Sequence, residues 1–214
     1  MDQARVRTVN VGKSFPIDAK AGRSGIDKRS VTGPVAVTAP GPGGSGLAGD
    51  DICDVANHGG PDQAVYAYAR EDLDRWAEEL GRPLTDGQFG ENLTTTGIDV
   101  NAAEVGEVWR VGDELVLQVT TPRIPCRTFA VWLDERGWMK TFTQRALPGA
   151  YLRVLRPGPV RAGDPIVVEQ RPGHGITIAL TFRATTLEPE LLPRLDIDGM
   201  PDEIRRKVRR RIGA

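Results

Sequence analysis

Apolar β-branched residues recur along Val6-Arg7-Thr8-Val9-Asn10-Val11 until Gly12, and a second short β-branched segment, Val35-Ala36-Val37-Thr38, follows Gly33-Pro34. β-Branched segments bounded by turn residues predict strands. The pattern changes over Arg70–Leu80, where Leu73, Trp76, Ala77 and Leu80 fall at i, i+3, i+4 and i+7. This spacing predicts a helix over 70–80, and Gly81 and Pro83 supply its stop. Glu107–Val111 and Glu114–Thr120 flank Gly112-Asp113 in the manner of a tight hairpin, and Tyr151–Leu155 and Pro165–Glu169 repeat the pattern around Gly163-Asp164. Short strands joined by Gly-containing turns predict a mainly β fold with a closed or nearly closed β-barrel and peripheral helices. Ala39–Gly49, rich in Pro and Gly, reads as an exposed, mobile loop.

Past Gln170-Arg171-Pro172-Gly173 the pattern turns helical, with short helices predicted over Glu188–Leu195 and Asp202–Ile212 on either side of the linker Asp196–Pro201. A boundary near Pro172 divides the chain into a principal domain, 1–172, and a small α-helical C-terminal extension, 173–214. In the last helix Ile204, Val208 and Ile212 form an apolar stripe at i, i+4 and i+8, among Arg205, Arg206, Lys207, Arg209, Arg210 and Arg211. That is an amphipathic surface helix with solvated arginines, the alternative being a nucleic-acid or partner contact.

A chain of 214 residues accommodates one principal core. Its 25 Gly and 16 Pro favour short strands over a helix bundle. A formal charge of −1 gives no whole-surface attraction for nucleic acid or an anionic membrane, which argues against a dedicated polyanion binder. No apolar run is long enough to span a bilayer, and Met1–Arg5 lacks the apolar region of a signal peptide, so the expected location is cytoplasmic. Cys53 and Cys126, far apart and without a CxxC, are too few for a disulfide framework, a structural zinc site or a self-contained iron–sulfur cluster.

Candidate chemistry concentrates in four stretches. In Thr120-Thr121-Pro122-Arg123-Ile124-Pro125-Cys126-Arg127, the prolines end the strand and present Cys126 from a stiff segment. A nearby arginine would stabilise the thiolate, making Cys126 a candidate nucleophile or soft-metal ligand. The alternative is a free cysteine packed as a small hydrophobe. Asn57-His58-Gly59-Gly60-Pro61-Asp62 sets a histidine before a Gly-Gly turn able to approach a ligand closely, or else is a capped surface turn. Gln88–Gly97 is dense in amide, carboxylate and hydroxyl groups, suited to a polar ring or to a hydrogen-bonded turn. Gly12-Lys13-Ser14 and Arg23-Ser24-Gly25-Ile26-Asp27-Lys28 place cations and hydroxyls beside glycine, which suits phosphate, yet neither a P-loop nor a Rossmann fingerprint is present.

Taken in order, Ser24–Lys28, Gly49-Asp50, Asn57–Ala64 with Tyr66-Ala67-Tyr68, Phe89–Leu93 with Thr96-Gly97, Val105–Glu107 and Pro122–Cys126 resemble a MOSC domain. This is the module named after the C-terminal part of molybdenum-cofactor sulfurase. The resemblance covers residues 10–170 and is closest to the stand-alone bacterial MOSC proteins linked to resistance against N-hydroxylated purine bases. It implies a β-barrel MOSC fold over 1–172 and a molybdenum cofactor of the molybdopterin type, with Cys126 as the protein thiolate on molybdenum and the catalytic position. It implies too that Arg123, His58, Asn92 and Lys28 hold the pterin and its phosphate. The implied activity is a molybdenum-dependent reduction of N–OH to N–H, with electrons from a separate reductase because the chain carries no second redox motif. The alternative is a non-catalytic carrier of sulfur or molybdenum cofactor on Cys126. A thiol hydrolase using Cys126 and His58 is a third reading, which leaves the arginines and pterin-type motifs unexplained. The sequence departs from the family pattern in the enlarged Gly41–Gly46 loop and in Lys13-Ser14.

Overall fold

The first strand, β1 (Arg5–Gly12), buries both Val6 and Val9, three positions apart, which strict alternation forbids. A bulge resolves this: Val6 pairs with Thr95 and Thr8 with Thr94, leaving Arg7 extra and exposed. Short strands β2 (Phe15–Pro16), β3 (Arg23–Ser24), β4 (Lys28–Ser30) and β5 (Val35–Val37) follow, then a single turn of helix, α1 (Val55–His58), and a 3₁₀ turn, Pro61–Gln63. The centre of the chain supplies β6 (Val65–Ala69), α2 (Arg70–Leu80), β7 (Leu93–Thr96), β8 (Val108–Val111) and β9 (Leu115–Pro122). Two helices, α3 (Arg127–Leu133) and α4 (Trp138–Arg145), precede β10 (Ala150–Arg156), β11 (Gly158–Val160) and β12 (Ile166–Gln170). The chain closes with α5 (Ile178–Thr186), a 3₁₀ segment, Pro189–Leu195, and α6 (Asp202–Ile212).

This computed structural model describes residues 3–19, 21–41, 44–197 and 199–212, with only the backbone described at 56, 57, 203, 207, 211 and 212. Parts of five sequence expectations, at Met1-Asp2, at Pro42-Gly43 of the Gly-rich loop, at Asp198 of the linker, at the Asn57 side chain and at the Lys207, Arg211 and Ile212 side chains of the last helix, lie outside the described residues.

The main sheet has eight strands in the order β12-β8-β9-β10-β6-β7-β1-β4 and is mixed, because β6 and β7 run parallel with α2 crossing between them. The approach to β12 meets β1, one strand in from the opposite end, through an isolated bridge, Arg5 to Pro165, with backbone hydrogen bonds such as Val6 N–H to Asp164 O. A continuous ladder does not close it, so the expected barrel is met only as a large mixed sheet with its edges drawn together. The β8–β9 hairpin forms as its Gly-Asp turn predicts. The second Gly-Asp pair does not make a hairpin: β10 pairs with β9 and β6, β12 pairs with β8, and β11 between them leaves the sheet to pair with β5.

All five residues of β6 are buried, as expected of a strand covered on both faces. Its alternation directs Val65, Ala67 and Ala69 into an aliphatic core with Val6, Trp109 and Leu117, and Tyr66 and Tyr68 into an aromatic one. The aromatic core joins Trp76 of α2, Phe89, Phe129 of α3 and Trp138 and Phe142 of α4; Phe89 lies 5.1 Å edge-on from Phe129. Edge-to-face pairs of this kind add about 0.5–1.5 kcal/mol each to the burial of the rings. They fix the floor on which the candidate site stands.

The C-terminal elements share these cores. Ile178, Ala184, Leu192, Leu195, Ile204 and Val208 belong to the aliphatic cluster and Phe182 to the aromatic one. Ile178 N–H and Ala179 N–H bond to the carbonyls of Ala103 and Asn101. Ile204 and Val208 of the α6 stripe are buried, with Arg206, Arg209 and Arg210 exposed, the amphipathic arrangement predicted. The Gly-rich loop departs from expectation over 45–48: Leu47 is buried and bridges Val37, and Gly46 N–H bonds to Ala64 O.

Candidate functional site

A solvent-open cavity with about 670 Å³ of empty space lies against the aromatic core, and Cys126, Arg123, His58, Asn92 and Lys28 all line it. Sequence positions nearly a hundred residues apart meet here because each stands where a regular element gives way to a turn.

Cys126 occupies the N-cap of α3, immediately after the segment in which Pro122 ends β9 and Pro125 stiffens the approach. Burial alone would raise its thiol. A hydrogen bond with His58 and the positive charge of Arg123 outweigh burial, aided by the charge of His58 and the Phe129 N–H, and bring it down from 9.0 to about 6. Cys126 is therefore largely thiolate at neutral pH. His58 ends α1, and its Nδ1 stands 3.4 Å from the Tyr151 hydroxyl of β10. The chain then turns away at Gly60, whose φ of +102° is closed to most side chains.

Arg123 is almost wholly buried, yet it keeps partners on every side. Its guanidinium lies 3.8 Å over the Phe129 ring and 5.3 Å from the Tyr66 ring centroid, and it donates to Phe89 O. A buried guanidinium held over aromatic rings is a fixed positive charge, which is what the thiolate needs.

Lys28 stands at the end of the tight segment that begins at Gly25, where a Cβ would fall 2.1 Å from the Asp51 carbonyl oxygen. Only glycine lets these two backbones approach so closely. The Lys28 ammonium is paired with Asp50, and burial nonetheless lowers its pKa. Asp50 also accepts from Gly12 N–H (2.7 Å), Ser45 Oγ (2.8 Å) and Asn92 Nδ2 (3.0 Å). Asn92 is equally committed, since its Oδ1 accepts from Tyr66 N–H. Lys28 and Asn92 thus reach the cavity as members of a neutralised network, while Arg23, bonded to Ser14 through its Nε and Nη2, is the more exposed cation on the wall.

Behind Asn92, the fully buried Glu91 accepts from Gly87 N–H (2.6 Å), Phe89 N–H (3.0 Å) and Thr94 Oγ1 (2.9 Å). Burial raises its carboxyl to about 7 against those bonds. It fixes the loop that carries Phe89 and Asn92. Sequence reasoning placed Glu91 in a polar stretch without assigning it this role, and passed over Cys53. The Cys53 thiol lines the same cavity and donates to Ser14 Oγ at 3.3 Å, and no local pattern marks it because the contact spans 39 residues.

Among the described residues no cluster of three or more His, Cys, Asp or Glu is placed to hold a bare metal ion. What the site offers is one soft thiolate, fixed positive charge and hydroxyl groups. Among the described residues no helix is long and apolar enough to cross a membrane.

A family model for the MOSC domain matches residues 54–167, which includes His58, Asn92, Arg123 and Cys126. The chain is 36% identical over 180 residues to uncharacterized protein YflK of Bacillus subtilis (strain 168), covering 83% of this chain and 79% of that one. It is 32% identical over 152 residues to a protein named "Reductase" of Gibberella moniliformis (strain M3125 / FGSC 7600), covering 70% of this chain but 26% of that protein. The fold superposes on the crystal structure of YiiM from Geobacillus stearothermophilus with a TM-score of 0.80 at 28% identity, covering 98% of this chain and 99% of that one.

Proposed function

The chain belongs to the MOSC domain family, and on that premise we propose that it binds a molybdenum cofactor of the molybdopterin type through Cys126 and reduces N-hydroxylated bases. The observation that carries this reading is the cavity in which a thiol brought down to about 6 stands beside the Arg123 charge, with Arg23 and the paired Lys28 and Asp50 on the same wall. The donor set fits such a group. A thiolate suits a high-valent metal already held by the sulfurs of a dithiolene, and a phosphate calls for cations and hydroxyls such as Arg23 and Ser24. Cys126 would hold the metal, Arg23, Ser24 and the Lys28–Asp50 pair the phosphate end, and Arg123 the charge next to the sulfur. When bound, the group would supply the two-electron chemistry that reduces N–OH.

This chain's own residues then orient and protonate. Reduction of N–OH to N–H consumes two electrons and two protons and releases water. The electrons come from a separate reductase, with a reduced flavoprotein or ferredoxin-type protein as the chemical class. His58 lies between the Cys126 sulfur and the Tyr151 hydroxyl, in position to relay a proton into the cavity. Arg123 and the rings beneath it stay fixed through the cycle. The "Reductase" name of one relative supports the redox reading.

Turnover of 6-hydroxylaminopurine with reduced viologen as donor tests this. The wild-type holoenzyme is expected to turn over many times and Cys126→Ser not at all, whereas binding without repeated turnover would point to a carrier. The Cys126–His58 bond also favours a thiol hydrolase, which would be labelled by an acylating thiol probe in a His58-dependent manner and would show no viologen-linked reduction.

A further inference from the structure

The arginines of α6 differ from those on the rest of the surface. Arg75, Arg110, Arg145, Arg153 and Arg183 each meet a carboxylate at 2.5–2.9 Å. Arg205, Arg206, Arg209 and Arg210 have no ion pair among the described residues, and the bond from Arg206 Nε goes to a carbonyl, Asp202 O, at 3.4 Å. At 3.6 residues per turn these four positions share one face, opposite the buried Ile204 and Val208, and span about 8 Å of helix axis. Asp202, Arg205, Arg206 and Arg209 frame a shallow, open notch on that face. The sequence from Pro201 to Ala214 carries a formal charge of +4 and leaves −5 on the rest of the chain. The face is a positive island on an acidic body.

Its position ties it to the candidate site. Ile204, itself buried, backs a wall that it shares with Cys126, His58 and Arg127, so the basic face begins one residue from the wall beside the thiol. Arg127 is exposed and has no ion pair among the described residues. Ile124, an apolar side chain left 36% exposed, stands on the same wall. An apolar contact beside uncompensated charge is how protein interfaces are commonly composed.

We propose that the basic face of α6, together with Arg127 and Ile124, is the docking surface for the electron donor, a small redox protein whose cofactor edge is ringed by carboxylates. The proposal rests on the reductase reading above and names the surface on which the partner it requires is received. Reduction of one N–OH to N–H takes up two electrons and two protons and releases water, so a one-electron donor docks twice in each turnover and leaves in between. Such exchange calls for a small, quickly reversible contact, and electron-transfer interfaces are of that kind, below about 1,200 Å². Uncompensated arginines facing carboxylates raise the encounter rate without requiring tight binding. A nucleic acid fits less well, because it would run from a face about 8 Å long onto a body of charge −5.

Titration of the full chain with an oxidised [2Fe–2S] ferredoxin of net negative charge tests the surface without requiring turnover. Binding to wild type is expected at low ionic strength and should weaken at least about tenfold in high salt. Arg206→Gln/Arg209→Gln/Arg210→Gln should weaken it about three- to tenfold and the corresponding triple Glu variant by more than about tenfold. The Gln variant should melt with the wild type, since its three positions are exposed, so its weaker binding cannot be put down to misfolding. No ferredoxin binding by wild type, binding indifferent to salt, or wild-type affinity in the Gln variant would each overturn the proposal. A DNA duplex or a second copy of the chain held through the same arginines in place of the ferredoxin would overturn it too. Reduced viologen needs no docking surface and should drive 6-hydroxylaminopurine reduction equally in wild type and the Gln variant. Ferredoxin binding that depends on α6 in a protein with no viologen-driven turnover would support the surface and overturn the reductase reading instead.

Discussion

Replacing His58 by Ala tests the electrostatics of the site at its centre. The Cys126 thiol stands at about 6 against an ordinary 9.0, and burial works against that displacement. His58 provides both a hydrogen bond to the sulfur and a positive charge near it, so its removal leaves burial opposed mainly by Arg123 and the Phe129 N–H. The thiol is then expected to rise to about 8 or above. At pH 7 a thiol titrating at about 6 is roughly nine-tenths thiolate, and one titrating at about 8 is roughly one-tenth. Alkylation by iodoacetamide follows the thiolate, so the rate at pH 7 should fall about tenfold. The assay is the pH–rate profile of alkylation in a Cys53→Ser background, with thiolate absorbance as a second probe, so that one sulfur is read. A His58→Ala profile whose midpoint stays near that of the parent would refute the pairing of His58 with Cys126.

Three further outcomes are expected. Asp50→Asn strands the buried Lys28 ammonium and should cost about 3–5 kcal/mol in urea unfolding, with much of the loss recovered in Lys28→Met/Asp50→Asn; a single-variant cost below about 1 kcal/mol would contradict it. Glu91 is raised from 4.5 to about 7, so its contribution to stability is full below about 4.5 and lost as pH rises through about 7. Wild-type stability relative to Glu91→Gln should therefore drop by about 2–3 kcal/mol between pH 5 and pH 8, and a flat difference would refute the assignment. Gly25→Ala sets a Cβ 2.1 Å from the Asp51 carbonyl and is expected to lower stability by about 3 kcal/mol or more. Melting together with the parent would show that the backbones part easily.

Legibility in the sequence followed the range of the forces involved. The α2 helix was readable because its apolar spacing and Gly81 stop are local, and it runs over the residues predicted. The same holds for the β8–β9 hairpin. The α3, α4 and α5 helices were not foreseen. Thr128–Leu133 and Thr177–Phe182 are rich in Thr, Val, Ile and aromatic residues whose local preference is extended, and they become helical only because Phe129, Trp138 and Phe182 have an aromatic core to fill. Glu188–Leu195 contains Pro193 and winds as 3₁₀ rather than α, consistent with a proline that removes a donor. The five candidate site residues were found by residue type and family order, and the cavity unites them. What no local pattern carried was their pairing. Lys28 meets Asp50 across 22 residues and Arg123 meets Phe89 across 34, so the Lys28 ammonium reaches the cavity already paired with a carboxylate.

The most direct test of the central claim is molybdenum per chain in protein purified anaerobically from a molybdate-fed, cofactor-competent host, beside Cys126→Ser prepared identically. Metal approaching one atom per chain in the wild type and falling sharply in the variant is the expected result. Equal molybdenum in both, or none in either with no pterin detectable, would contradict Cys126 as the anchor of a molybdenum cofactor.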